Sequence, residues 1–284
     1  MALALCEKLR DAGAMGIELL VFFAALVAAG LFAGLIGGLF GVGGGIVIVP
    51  ALYHGLGLAG VPEDARMHVA VATSLSTIVA TSWRSLNAHR KSGAVDEALL
   101  KSWIPWIALG AVIGAALAGQ ISGQGLLIVF GVLALLVAAN MAFGSDAWRI
   151  VGAMPTGAAR VGTAGAVGLL SAMMGIGGGA FGVTIMTLCG RPIHQAVATA
   201  SGFGAAIALP AALANMVTGW GAAGLPWGSL GYVNAPGFVI LAMLTAITAP
   251  IGARLAHRLN RVLLKRLFAV FLALTALNLL SEAF

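Results

Sequence analysis

Two glycine runs give this chain a means of binding an anion without a buried cationic side chain. Gly41-Val42-Gly43-Gly44-Gly45 recurs as Gly175-Ile176-Gly177-Gly178-Gly179. A Gly-Gly-Gly turn feeding a helix aims several backbone N–H groups, and the positive end of the helix dipole, at one point. Gly43, Gly44, Gly45, Gly177, Gly178 and Gly179 are therefore the candidate anion cradle. The plainer reading is that these glycines only let helices pack closely. Their recurrence at matched positions favours a site.

A second shared pattern follows each run. His68-Val69-Ala70-Val71-Ala72-Thr73 returns as His194-Gln195-Ala196-Val197-Ala198-Thr199. Thr73, Ser74, Thr199 and Ser201 carry hydroxyls that can donate to an oxyanion, or each can bond the backbone of its own helix. His68 and His194 open equivalent helices. They are either anion contacts or proton carriers, since histidine titrates near neutral pH, or else interfacial helix caps. Arg66 and Arg191 stand just before them and would attract anions at the mouths.

What is missing also constrains the chemistry. All nine Asp and Glu residues lie in tails or loops or near predicted span ends, so no intramembrane acid pair is expected to hold sodium or relay protons. The two cysteines, Cys6 and Cys189, are far apart and imply neither a disulfide framework nor a metal site. No Ser-His-Asp constellation or metal cluster suggests an enzyme. No cofactor, metal or nucleic acid is expected.

These residues must be positioned by membrane helices. The chain is 61% hydrophobic and 8% charged, with a mean hydropathy of +1.05; ordinary soluble domains carry roughly 25% charged residues. Apolar stretches of spanning length predict helices near 68–86, 102–119, 125–143, 194–217, 236–253 and 262–282. The apolar runs are continuous, not alternating, which argues against a β-barrel. Six tryptophans, Trp83, Trp103, Trp106, Trp148, Trp220 and Trp227, fall near predicted span ends as an interfacial belt. The apolar run after Lys8 and Arg10 is too long for a signal-peptide core.

The repeats extend further. Gly93-Ala94-Val95-Asp96 is echoed by Gly231-Tyr232-Val233-Asn234, and Ile113-Gly114-Ala115 by Ile251-Gly252-Ala253. A repeated hydrophobic unit broken at matching glycines points to a transporter with its site at the repeat interface. The expected fold is an all-α polytopic membrane protein of two inverted-topology repeats. Each repeat is a glycine-broken helical hairpin plus three transmembrane helices. Residues 1–16 are an N-terminal tail, 17–143 the first repeat, 144–160 a cytoplasmic linker and 161–284 the second repeat.

Loop charge carries the inversion. Basic residues mark 87–101 (Arg90, Lys91, Lys101), 144–160 (Arg149, Arg160) and 254–266, whereas 120–124 and 218–235 carry none. Basic loops face the cytoplasm. The basic 87–101 loop corresponds to the neutral 218–235 loop, so equivalent loops lie on opposite sides. Residues 161–189 are too short for two full spans and predict a hairpin of short or broken helices bent at Gly175 to Gly179. The scheme puts the N-terminus outside, against the pull of Lys8 and Arg10.

The run from Gly37 to Pro50, with His68 through Ser74, Asn87-Ala88-His89-Arg90 and Gly93-Ala94-Val95-Asp96, resembles the TauE/SafE family of sulfite and organosulfonate exporters. The second-half motifs repeat that family's internal duplication, and the resemblance covers roughly 17–282. It implies a permease of the bacterial cytoplasmic (inner) membrane for small sulfur-containing anions such as sulfite, sulfoacetate or other sulfonates, often working outward. Its partners would be that anion and membrane lipid. A homodimer is compatible with the sequence and not set by it. A passive anion channel, or an uptake permease for a different small anion, stands as the alternative.

Overall fold

A computed structural model describes residues 23–24, 26–39, 44–144, 152–256 and 261–284. Among these the chain is helical almost throughout. The helices are α1 Leu26–Leu39, α2 Gly45–Leu58, α3 Glu63–Lys91, α4 Glu97–Ala118, α5 Gly123–Phe143, α6 Gly157–Met174, α7 Gly179–Leu188, α8 Ile193–Thr218, α9 Ala235–Ala256 and α10 Arg261–Glu282. Between α8 and α9, the strands β1 Ser229–Leu230 and β2 Val233–Asn234 form a short antiparallel ribbon. Among the described residues, α4, α5, α8 and the 235–252 part of α9 are long and apolar enough to cross a membrane.

Local chemistry sets the helix ends. Glu63 and Asp64 open α3 and His89, Arg90 and Lys91 close it, each sign matched to the dipole end it occupies. The Ser122 hydroxyl caps α5 by accepting the Gly125 N–H at 3.1 Å. α6 ends at Gly175, in the left-handed region at φ +68°. There the Ile176 N–H reaches the Ser171 carbonyl and the Gly175 N–H the Ala172 carbonyl. That pairing is a Schellman termination and favours glycine at this position.

Residues 157–188 fold as two helices of 18 and 10 residues broken at 175–178, the break falling where the hairpin reading put it. α6 starts at Gly157, inside the segment read as a linker. Thr156 precedes it as the N-cap residue. In the first half α1 is described to Leu39 and α2 starts after Gly44, while residues 40–43 lie outside the described residues. Lys8, Arg10, Asp146, Trp148, Arg149 and the N-terminal tail lie outside the described residues.

Contacts between the two halves are reciprocal. A methyl on Gly114 of α4 would run into the Leu169 carbonyl of α6, and one on Gly252 of α9 into the Leu35 carbonyl of α1. A methyl on Gly168 would strike the Ile107 carbonyl, and one on Gly34 would lie 2.9 Å from the Thr245 carbonyl. Each half therefore packs its second long helix against the other half's hairpin, with bare glycine surfaces allowing backbone contact. The two histidine-led helices, α3 and α8, lie against each other at the centre, α4 also packs on α8, and α9 on α3.

Many side chains turned outward along the long helices are apolar. On α9, Val239, Met243, Ile247 and Ile251 form one exposed stripe at four-residue spacing, which suits lipid and not water. Trp83, Trp220 and Trp227 are exposed, as an interfacial belt predicts. Trp103 corrects that reading. It is buried and stacked on Phe203 with ring centroids 5.8 Å apart, so it fills the core between α4 and α8.

Candidate functional site

Gly45 of the first glycine run packs against Gly175 of the second. Gly44, at φ +74°, is the N-cap of α2, and Gly178, at φ +67°, is the N-cap of α7. Both are left-handed conformations that glycine adopts without steric cost. The absent side chain of Gly45 leaves room for the Gly175 carbonyl of the opposite hairpin. The same carbonyl accepts a hydrogen bond from the Ser74 hydroxyl at 2.8 Å. A Cβ on Gly177 would lie 2.8 Å from Ile78 Cγ2, 3.4 Å from Gly204 Cα and 3.8 Å from Ser82 Oγ. The second turn is thus seated between α3 and α8, at the junction of the halves.

The first bond of the α7 ladder runs from the Gly182 N–H to the Gly178 carbonyl at 2.8 Å. The amides of Gly179 and Ala180 lie ahead of it, with no intrahelical acceptor. In α2 the Val47 and Ile48 N–H groups turn back onto the Gly44 carbonyl, and the amides of Gly45 and Ile46 come before that bond. Gly43 lies outside the described residues.

The threonines expected as supplementary donors stand in matched roles. Thr73 Oγ1 accepts the Asn234 N–H at 3.0 Å, and Thr199 Oγ1 accepts the Asp96 N–H at 3.0 Å. Asp96 also caps α4 by accepting the Leu99 N–H at 3.0 Å, and Asn234 caps α9 by accepting the Gly237 N–H at 2.9 Å. Each threonine therefore holds the helix start of the other half. Both are fully buried. Ser201, in contrast, donates to the Ala198 carbonyl of its own helix at 2.6 Å, and Ser76 and Thr77 do the same within α3.

The histidines and arginines do not converge on the turns. His68 is buried, stacked on Tyr232 with centroids 4.8 Å apart. Its Nε2 lies 3.0 Å from the carbonyls of Ala118 and Ile121, and its Nδ1 2.9 Å from that of Asp64. The ring therefore closes the C-terminal end of α4. His194 is exposed at the start of α8.

Arg66 donates through Nε to the Val61 carbonyl at 2.6 Å, beside the end of α2. Arg191 pairs with Asp96 at 3.2 Å, beside the start of α4. α4 spans 22 residues, about 33 Å of helix, so the two arginines mark opposite ends of the bundle. The Arg191 end is further charged by Arg90, which donates to Glu97 at 2.7 and 3.1 Å.

At the Arg66 end an open cavity of about 540 Å³ is lined by residues including Val61, Pro62, Trp227, Asn234 and Gly237. The glycine turns do not line it. No group of three or more His, Cys, Asp or Glu residues placed to hold a metal occurs among the described residues.

Asp96 and Asn234 were visible in the sequence as echoed positions and not as caps. The Asx-before-helix signal was available at both. Ser171, a buried serine beside the second turn, had no sequence signal, because its counterpart in the first half is Gly37.

A family model described as sulfite exporter TauE/SafE matches residues 26–279. A probable membrane transporter protein of Haemophilus influenzae is 31% identical, covering 91% of this chain and 98% of its own length. A probable membrane transporter protein of Methanocaldococcus jannaschii is 24% identical over 89% of this chain and 95% of its own length. No solved structure matches. A fold of apolar helices with these relatives is an integral membrane transporter, and with the family's model covering almost its whole length the chain belongs to the TauE/SafE sulfite exporter family.

Proposed function

We propose that the protein is a secondary carrier of small sulfur-containing anions, such as sulfite, sulfoacetate or other sulfonates. It works by alternating access between two inverted repeats of the inner membrane and exports its substrate. The observation that carries the reading is the close approach of Gly45, which follows the left-handed N-cap Gly44 of α2, to Gly175 in the second glycine run, whose Gly178 is the left-handed N-cap of α7. A helix N-terminus following each glycine run, with the runs in contact, favours an anion. Gly43 to Gly45 and Gly177 to Gly179 form the cradle, Thr73, Ser74, Thr199 and Ser201 line its approaches, and Arg66 and Arg191 draw anions to the two mouths, beside His68 and His194.

The reciprocal contacts support inversion, because a two-fold axis in the membrane plane exchanges Thr73–Asn234 with Thr199–Asp96. The end carrying Arg90, Lys91 and Arg191 is the cytoplasmic one under the positive-inside rule. In this conformation Gly44 and Gly175 to Gly178 are buried, and rocking of the halves would open the cradle to each side in turn.

The test is counterflow of labelled sulfite, sulfoacetate and taurine in proteoliposomes, with and without a pH gradient. Saturable counterflow of one of these sulfur compounds is expected. Sustained single-channel current without counterflow would instead make the protein a channel, and silence toward all three would sink the sulfur-anion reading.

A further inference from the structure

The Ser171 hydroxyl is left without a partner at the second glycine turn. The residue is fully buried and its Oγ meets neither donor nor acceptor. Several other buried hydroxyls among the described residues are spent as donors. Ser76, Thr77, Ser201 and Thr245 donate to carbonyls of their own helices, and Ser74 donates to Gly175. The same i−4 bond is open in principle to a serine in the last turns of α6. Instead Ser171 Oγ is directed at the turn, 3.7 Å from where a Cβ on Gly178 would stand. An unpaired hydroxyl in a dry interior is unfavourable and calls for a partner.

The surroundings define that partner. Gly178 is the N-cap of α7, and the amides of Gly179 and Ala180 follow it without intrahelical acceptors. The helix-end amides can only donate and the hydroxyl can donate beside them, so a partner shared by all three is an acceptor, and the helix dipole favours an anion.

We propose that Ser171 is a ligand of the transported oxyanion, donating its O–H to an oxygen held at the start of α7. The inference rests on the carrier reading above and adds an asymmetry to it. The matching position in the first half is Gly37, so at this position the second half alone carries a side-chain donor. The anion is then held off the axis that relates the halves, nearer to α7 than to α2.

The full-length protein with Ser171→Ala, tested in proteoliposomes with each of labelled sulfite, sulfoacetate and taurine, decides the point. A hydrogen bond to a charged oxygen lost on truncation raises KM about tenfold or more with little change in maximal rate. The anion-free protein should melt no lower than wild type, since the orphan hydroxyl is gone, and the stabilisation conferred by added anion should shrink. Thr163→Ala, an exposed hydroxyl of the same helix bonded to Ala159, serves as the control.

Unchanged KM and unchanged anion stabilisation in Ser171→Ala, with wild type transporting, overturn the assignment and leave the carrier reading intact. A transport loss accompanied by a lower melting temperature without anion also overturns it, because the hydroxyl would then be supporting the fold. Absence of counterflow in wild type overturns both.

Discussion

The Thr199 hydroxyl accepts the backbone N–H of Asp96 at 3.0 Å, across the boundary between the two halves. Its counterpart, Thr73 on the Asn234 N–H, repeats the bond with the halves exchanged. Truncating Thr73 to valine leaves a buried amide without an acceptor, which costs about 1–3 kcal/mol, and Thr199 to valine a partly buried one, at the lower end of that range. Thr73→Val and Thr199→Val are each expected to lower the melting temperature in detergent, while Thr→Ser at either position retains most of it. Equal stability of wild type and both valine variants would remove the bonds from any structural role.

The two left-handed caps should differ in tolerance. A methyl on Gly44 would stand 2.6 Å from the Ala33 carbonyl, a backbone atom that cannot step aside, whereas one on Gly178 would meet the mobile Cδ1 of Ile207. Positive φ alone costs a non-glycine residue on the order of 1 kcal/mol. Gly44→Ala should therefore destabilise by clearly more than Gly178→Ala. Gly60→Ala, left-handed in open space, should show only the conformational cost. Thermal unfolding of the three variants ranks them, and Gly44→Val or Gly178→Val in folded protein should abolish counterflow.

Asp96 does two jobs that substitution can separate. Asn234 performs the same helix cap with an amide, so Asp96→Asn keeps the cap of α4 and loses only the pairing with Arg191. That arginine is 40% exposed, and the expected stability loss is under about 1 kcal/mol. Asp96→Ala forfeits the cap as well, adding about 1 kcal/mol. A melting curve in which Asn and Ala behave alike would contradict this division.

The matched histidines should also part company. His68→Ala uncovers the carbonyls of Ala118 and Ile121 and empties the space beside Tyr232, so a loss of about 2 kcal/mol or more is expected. His194→Ala, at an exposed position, should stay within about 0.5 kcal/mol. If His194 carries protons, its replacement abolishes the response of counterflow to a pH gradient while leaving exchange without a gradient intact.

The long helices were legible because each is a continuous apolar run. The predicted span at 125–143 coincides with α5, Gly123–Phe143, to within two residues. The hairpin break at Gly175 was legible for a similar reason, since only glycine suits that left-handed termination. The partners of Thr73 and Thr199 were not, because those bonds join residues 161 and 103 positions apart, and no local pattern encodes which helix start lies opposite. Trp103 misled the belt reading because its place near a span end says nothing about which way it faces. The start of α6 was hidden by composition, Pro155-Thr156-Gly157 reading as linker while serving as a helix entrance.

Reciprocity also has a consequence in time. The ribosome adds roughly 5–20 residues per second, and Asn234 follows Thr73 by 161 residues. For roughly ten to thirty seconds of synthesis the nascent first half therefore waits in the membrane with its central threonine and the glycine face of α1 uncovered. Whatever shields a half-built chain during insertion must hold it through that interval. A substitution that leaves the finished protein sound can still fail there, read out as low yield with a normal melting temperature.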